Sequence, residues 1–378
     1  MRVAILSETD KTETRVAATP ETVKKYKALG ADVVVQAGAG GPSGMLDGDY
    51  AAAGAAIATG ADEAARDADI VLKVRRPGEG ELRGMKRGAL LIAIMDPYGQ
   101  DAALKAMAEA GVAAFSMELM PRITRAQVMD VLSSQANLAG YRAVIDAAAE
   151  YGRAFPMMMT AAGTVPAARV FVMGAGVAGL QAVATARRMG AVVTATDVRP
   201  AAKEQVESLG GKFVAVEDEE FKQAETAGGY AKEMSKEYQA KQADLVAAHI
   251  AKQDIVITTA LIPGRPAPKL VSRAMVESMK PGSILVDLAV ERGGNVELAQ
   301  PGQVVDHNGV KIVGHLNVPG RLAASSSSLY ARNLYAFVET LVDKGTKSLA
   351  VKWDDELVKA TCLTRDGAVV HPAFQPKA

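Results

Sequence analysis

The hexapeptide Gly174-Ala175-Gly176-Val177-Ala178-Gly179 sits between a β-branched run, Arg169-Val170-Phe171-Val172-Met173, and an apolar helical pattern that continues to about Met189. Three glycines at this spacing allow a tight turn, let a pyrophosphate approach the backbone, and let helix pack closely on strand. The outward N–H groups and positive end of the following helix, which opens at Val177, suit the phosphates. Asp197 stands about twenty residues on, at the end of the next strand, where a carboxylate accepts from both hydroxyls of a ribose. Gly174, Gly176, Val177, Gly179, Asp197 and Val198 therefore predict a dinucleotide site. A carboxylate at that place opposes a 2′-phosphate, since two negative groups at about 4 Å cost about 4 kcal/mol at an effective dielectric near 20. NAD is favoured over NADP, although Arg199 is a cation that could answer a phosphate. Gly38 to Gly41 also follow a strand, but no apolar helix or correctly spaced acid follows them, and they read as a loop.

A second concentration of chemistry runs from Pro121 to Gln135, where Arg122, Gln127, Asp130 and Ser133 alternate with apolar residues. Taken alone, Arg122 and Asp130 could form a surface ion pair, and Ser133 could cap a helix. Leu261-Ile262-Pro263-Gly264 follows a strand pattern, Ile255 to Thr258, at the carboxyl edge where ligands of open α/β sheets bind. Four histidines, at 249, 307, 315 and 371, and one cysteine, Cys362, give no metal-ligand spacing, so no metal is expected. A lone cysteine also excludes an internal disulfide and fits a reducing compartment. Lysine plus arginine and aspartate plus glutamate both number 43, which is not the basic excess of a nucleic-acid binder. No apolar run reaches the roughly 18 residues of a membrane span, and the one at Val3 to Leu6 is too short for a signal peptide.

Two ordinary domains fit 378 residues, and 49% apolar composition supports a large core. Strands are predicted at Val3 to Leu6, Val33 to Val35, Ile70 to Leu72, Leu90 to Ile94 and Val112 to Phe115, with helical segments between them. A second series covers Val170 to Met173, Val192 to Ala195, Phe213 to Val216, Ile255 to Thr258, Ile284 to Leu288 and Lys311 to Val313. Continuous apolar strands alternating with helices imply parallel sheets covered on both faces. The expected architecture is α/β, with two doubly wound parallel-sheet, Rossmann-like domains and a cleft between them. A helix at 129–151 links them, Asn317-Val318-Pro319-Gly320 marks the return, and a serine-capped helix runs through Tyr335. The N-terminal domain is thus expected at 1–135 plus 319–378, and the nucleotide domain at 136–318. Met157 to Met159 read as core filling.

Residues 121–144, 156–165 and 225–234 together resemble the NAD(H)-binding component of proton-translocating nicotinamide nucleotide transhydrogenase, in the alanine dehydrogenase/transhydrogenase family. The resemblance covers essentially the whole chain. It implies that Arg122, Gln127 and Asp130 border the nicotinamide and its ribose and that Ser133 holds the carboxamide, which together form the catalytic set. It also implies that Gly229 and Tyr230 belong to a loop closing over bound nucleotide, and that Gln242 and Leu261 are nucleotide contacts. The implied partners are an NADP(H)-binding subunit and membrane-spanning subunits, and a homodimer is implied as well. The chain ends where a fused subunit would continue into membrane helices. It is therefore expected to be a separate cytoplasmic polypeptide, held peripherally at the inner membrane by its partners.

Two rivals share the fold. Alanine dehydrogenases bind an oxoacid at positions matching Arg15 and Lys73, but they also need a proton donor, normally a histidine. The matching stretch here reads Ile94-Met95-Asp96-Pro97-Tyr98, and no histidine precedes His249. Arg15 and Lys73 are therefore expected to survive as ion-pair partners. An NAD-sensing module would not need the Arg122–Ser133 segment.

Overall fold

Six short strands, β1 (Arg2–Ile5), β2 (Asp32–Gln36), β3 (Ala56–Ala58), β4 (Ile70–Arg75), β5 (Leu90–Ile94) and β6 (Ala113–Ser116), pair in parallel in the order β6-β5-β4-β1-β2-β3. The computed structural model describes residues 1–222 and 234–375. Val3, at the sheet centre, pairs with Val33 on one side and Ile70 on the other, and all three are buried. Local chemistry sets the first helix, Pro20–Ala28: Thr19 accepts from the Thr22 N–H, Pro20 is its first residue, and Val23 and Tyr26 face the core.

The linking helix Val131–Glu150 leads to an exposed hairpin, β7 (Met158–Thr160) with β8 (Gly163–Val165). This corrects the core reading of Met157 to Met159, which are 62%, 44% and 77% exposed. A methionine run has no periodicity to reveal which face it takes.

The second sheet comprises β9 (Arg169–Met173), β10 (Val192–Thr196), β11 (Lys212–Phe213), β12 (Ile255–Thr258), β13 (Ile284–Asp287), β14 (Val304–His307) and β15 (Val310–Val313). Its order is β11-β10-β9-β12-β13-β15-β14, parallel except for β14. Strand order reverses between β9 and β12, which is the switch point at which open α/β sheets bind ligands.

Helix Ala323–Thr340 begins before the serine run, which lies inside it instead of capping it, ends five residues past the expected Tyr335, and leads through a small hairpin, β16 (Val342–Asp343) with β17 (Ser348–Leu349). The chain then adds β18 (Cys362–Arg365) and β19 (Ala368–Val369), both antiparallel, to the edge of the first sheet at β6. Phe115 packs between Phe337 and Trp353, with ring centroids 5.6 Å and 6.2 Å away. The chain thus divides into two units, Met1–Gln135 with Gly320–Ala378, and Ala136–Pro319. Both are α/β units dominated by a parallel sheet.

Candidate functional site

The glycine turn in the second unit is built from steric necessity. Gly174 has φ +102°, and a Cβ there would lie 2.5 Å from the Thr259 hydroxyl. A Cβ on Gly179 would lie 1.8 Å from the Gly174 carbonyl oxygen, so helix Val177–Arg188 can start only where this residue has no side chain. Gly176 differs: a Cβ there would meet nothing within 4 Å. Its open side gives a ligand access to the backbone, next to the N–H groups that lack intrahelical partners. Val177 is exposed beside it.

Asp197 closes β10 against this turn. Its carboxylate accepts from the Ala175 N–H at 2.7 Å and is gripped by Arg199, whose Nε lies 2.9 Å from Oδ1. Val198, between them, is exposed. Gln242 is engaged as a brace, accepting from the Val216 N–H at 2.9 Å and donating to the Thr196 hydroxyl at 3.1 Å. Leu261 and Ile262 project into solvent from the segment after β12. Sequence reasoning missed the two residues that hold this edge. Thr259 donates to the Gly174 carbonyl at 3.0 Å. Asn295, fully buried, accepts from the Ala260 N–H and donates to the Ala260 and Pro268 carbonyls at 3.0, 2.9 and 2.8 Å. The only hint was an asparagine directly after Gly293-Gly294. Gly229 and Tyr230 lie outside the described residues.

In the first unit, Arg122 and Gln127 are exposed on the segment leading through the 3-10 turn Thr124–Met129. Asp130 accepts from the Ser133 N–H at 2.9 Å and from its hydroxyl at 2.5 Å, so the two cap helix Val131–Glu150 together. Three anchors, unsuspected from sequence, hold this segment. Arg125 clasps Asp355 and Glu356. Asn333 donates to the Val128 carbonyl at 2.8 Å while accepting from Ser134 at 2.7 Å. Gln135 accepts from Arg15 at 2.8 Å and from Ser326 at 2.6 Å.

Arg15 and Lys73 are both buried and both matched by acids. Arg15 forms a two-point pair with Glu13, with Nε and Nη2 each 2.7 Å from a carboxylate oxygen. Lys73 reaches Glu81 at 2.6 Å, the Ser7 carbonyl at 3.1 Å and Glu8 at 3.7 Å. Burial lifts the Glu8 carboxyl to about 7 against the attraction of Lys73. Burial also pushes Glu13 upward, but Arg15 and Arg75 outweigh it and hold Glu13 at about 2. A depressed carboxyl stabilises the fold above its ordinary value of 4.5 and loses that contribution as pH falls toward 2. Glu13→Gln takes the carboxylate from the buried Arg15 and the half-exposed Arg75 and is expected to cost about 3 kcal/mol at pH 7. Thermal unfolding should show the difference shrinking below pH 4; a pH-independent difference would contradict the pairing.

After β5, where a dehydrogenase would present its histidine, Glu118 accepts from the Met95 and Asp96 N–H groups and Arg76 donates to the same residues' carbonyls. His249 lies in the second unit, 2.9 Å from the Thr194 hydroxyl and edge-on to Phe171. Burial pushes its pKa down. Among the described residues no helix is long and apolar enough to cross a membrane, and no His/Cys/Asp/Glu group could hold a metal ion.

Comparison with known proteins adds an independent line. Residues 4–139 match the family described as alanine dehydrogenase/PNT, N-terminal domain, and residues 143–372 match the C-terminal domain of the same family. The first part of the NAD(P) transhydrogenase alpha subunit of Rhodospirillum rubrum is 57% identical over 379 residues, covering 99% of both chains. A crystal structure of transhydrogenase from Sinorhizobium meliloti superposes with a TM-score of 0.90 at 65% identity, covering 98% of this chain and 100% of that one. Alanine dehydrogenase of Mycobacterium tuberculosis strain H37Rv is 31% identical over 384 residues, covering 98% of this chain and 95% of its own.

Proposed function

The chain belongs to the alanine dehydrogenase/PNT family, and from that premise we propose that it is the NAD(H)-binding subunit of a proton-translocating nicotinamide nucleotide transhydrogenase. Its role is to present NADH for direct hydride exchange with NADP+ held on a partner subunit. The observation that carries this choice within the family is the pairing of Arg15 and Lys73 with Glu13, Glu81 and Glu8. Cations as deeply buried against internal carboxylates as these two are not free to receive an oxoacid, and the turn after β5 carries no histidine to protonate one. A hydride acceptor that needs no proton fits both facts.

The open face of Gly176 and the helix beginning at Val177 suit the pyrophosphate, and Asp197 suits the adenosine ribose. Gln242 supports that end from below, and Leu261 offers an apolar surface to it. When bound, NADH supplies the hydride from its nicotinamide ring. Arg122, Gln127, Asp130 and Ser133 orient that ring through its carboxamide and ribose, Ser133 exchanging its bond to Asp130 for one to the carboxamide. Fixing one face of the ring is the whole catalytic task, because hydride transfer requires reacting carbons about 3–3.5 Å apart and no nucleophile. The exposed methionines 157–159 provide apolar surface of the kind a second copy covers in a homodimer. Proton movement belongs to membrane-spanning partners, which would hold this chain peripherally at the cytoplasmic side of the inner membrane.

The test is a mixing experiment. With the separately prepared NADP(H)-binding component and an NADP+ analogue, NADH should be oxidised; with pyruvate and ammonia and no partner, it should not. Oxidation only in the second mixture would restore the dehydrogenase, and tight NADH binding with neither reaction would favour a sensor. Asp197→Ala is expected to weaken NADH binding about 10- to 100-fold, the worth of hydrogen bonds to a charged group, and NADPH much less. Equal losses for the two nucleotides in fluorescence titration would remove Asp197 from the ribose.

A further inference from the structure

Asp197 is fully engaged by groups of its own chain. Its side chain is 8% exposed. Oδ1 accepts from the Arg199 backbone N–H and from Arg199 Nε, each at 2.9 Å. Oδ2 accepts from the Ala175 N–H at 2.7 Å and from Arg199 Nη2 at 3.1 Å. A carboxylate offers about four lone-pair positions, and these four donors use them. Two donors are backbone groups that fix the direction of the carboxylate. The other two belong to one guanidinium, with one bond on each oxygen.

That division matches what a ribose requires. A vicinal diol donating to a carboxylate places one hydroxyl on each oxygen, so it needs the two positions that the guanidinium holds. The backbone donors can stay. Arg199 has 31% of its side chain exposed, so the guanidinium can move into water by side-chain rotation while β10 and the glycine turn keep their places. Resting on the NAD(H) reading above, we infer that Arg199 is a displaceable occupant of the ribose site and thereby a determinant of nucleotide specificity. In the pair it neutralises a nearly buried carboxylate, which would otherwise be costly to hold charged. On binding, two hydroxyl bonds replace the two guanidinium bonds to the carboxylate, and the 3.3 Å bond from Arg199 Nη2 to the Ala175 carbonyl opens with them. The pair that must open weakens NADH binding and eases its release.

The same exchange bears on the phosphorylated nucleotide. Asp197 repels a 2′-phosphate, whereas a guanidinium released from Asp197 stands within reach of one. Arg199 thus works against NADH and for NADPH, opposite in sense to Asp197. Removing it should widen the preference for NADH.

The test uses Arg199→Met, which keeps an unbranched stem and removes the guanidinium, with Arg199→Ala as the second variant should the first fail to fold. NADH and NADPH are titrated by fluorescence against the full chain, with Asp197→Ala in the same series. The expected result is NADH binding about 3- to 10-fold tighter than wild type, the worth of a partly exposed ion pair, with NADPH unchanged or weaker. Arg199→Lys, which keeps the charge but lacks the planar fork, should fall between. NADH binding equal to or weaker than wild type in Arg199→Met, while Asp197→Ala still weakens NADH, would overturn the exchange and leave the NAD(H) reading standing. If Asp197→Ala leaves NADH binding unchanged, the ribose assignment itself fails and the exchange falls with it.

Discussion

Arg122→Ala is expected to slow hydride transfer from NADH about 100-fold while changing NADH affinity little. The expectation follows from what the side chain has to do. Reacting carbons must approach within a narrow range, and a misplacement of about 1 Å costs on the order of 10²-fold. Affinity, by contrast, rests on the adenosine and pyrophosphate end, which Arg122 does not serve in the proposed arrangement. The segment around it is held from behind, by Arg125 on Asp355 and Glu356 and by Asn333 on the Val128 carbonyl, so truncating an exposed arginine should leave the backbone in place. Single-turnover absorbance with the NADP(H)-binding component reads the transfer, and titration reads the affinity. A variant that transfers at the wild-type rate would remove Arg122 from the reacting centre. Equal losses of rate and affinity would make it a binding group instead.

Gly179→Ala is expected to abolish measurable NADH binding and to lower thermal stability, because its Cβ would sit 1.8 Å from the Gly174 carbonyl. Neither neighbour can yield cheaply. Gly174 is already in the left-handed region, and the helix that carries Gly179 packs on β9. Forced overpacking of this kind costs about 1–3 kcal/mol, and relieving it moves the N–H groups meant for the pyrophosphate. Gly140→Ala makes the matching control. Its Cβ would lie 2.0 Å from the Ala178 carbonyl, so it prises the linking helix from the same turn of backbone without entering the nucleotide surface. Gly140→Ala should lose a similar amount of stability and a smaller share of affinity. Undiminished NADH binding in Gly179→Ala would mean that the glycine turn does not hold the nucleotide.

The regions of this protein readable from its sequence are those whose causes are local. Buried parallel strands need apolar side chains on both faces, so Leu90 to Ile94 and Ile255 to Thr258 announce themselves as unbroken runs, and both strands lie at those residues. The glycine spacing and Asp197 are close in sequence because one βαβ unit carries them. The linking helix was readable too, but the reason for Gly140 within it was not, since the atom it must avoid belongs to Ala178. Strand β3 gives no signal because Ala56-Ile57-Ala58 looks like the helices around it. Strand β18 is short and takes its partners, Phe115 and Ala114, from far along the chain. The residues that fix the candidate site from behind, Asn295, Asn333, Arg125 and Gln135, were missed for the same reason. A buried amide or carboxylate is recognisable only with its partners, and a linear pattern does not contain them. Met157 to Met159 failed differently: hydrophobicity set an expectation of burial that a protruding hairpin overrides.

The most direct test of the central claim follows the hydrogen itself. NADH carrying deuterium at the transferred position of its nicotinamide ring is mixed in ordinary water with this protein, the NADP(H)-binding component and an NADP+ analogue, and the reduced analogue is examined by mass spectrometry. Direct passage between the two rings places one deuterium in each molecule of reduced analogue. Reduced analogue bearing only solvent hydrogen would contradict it.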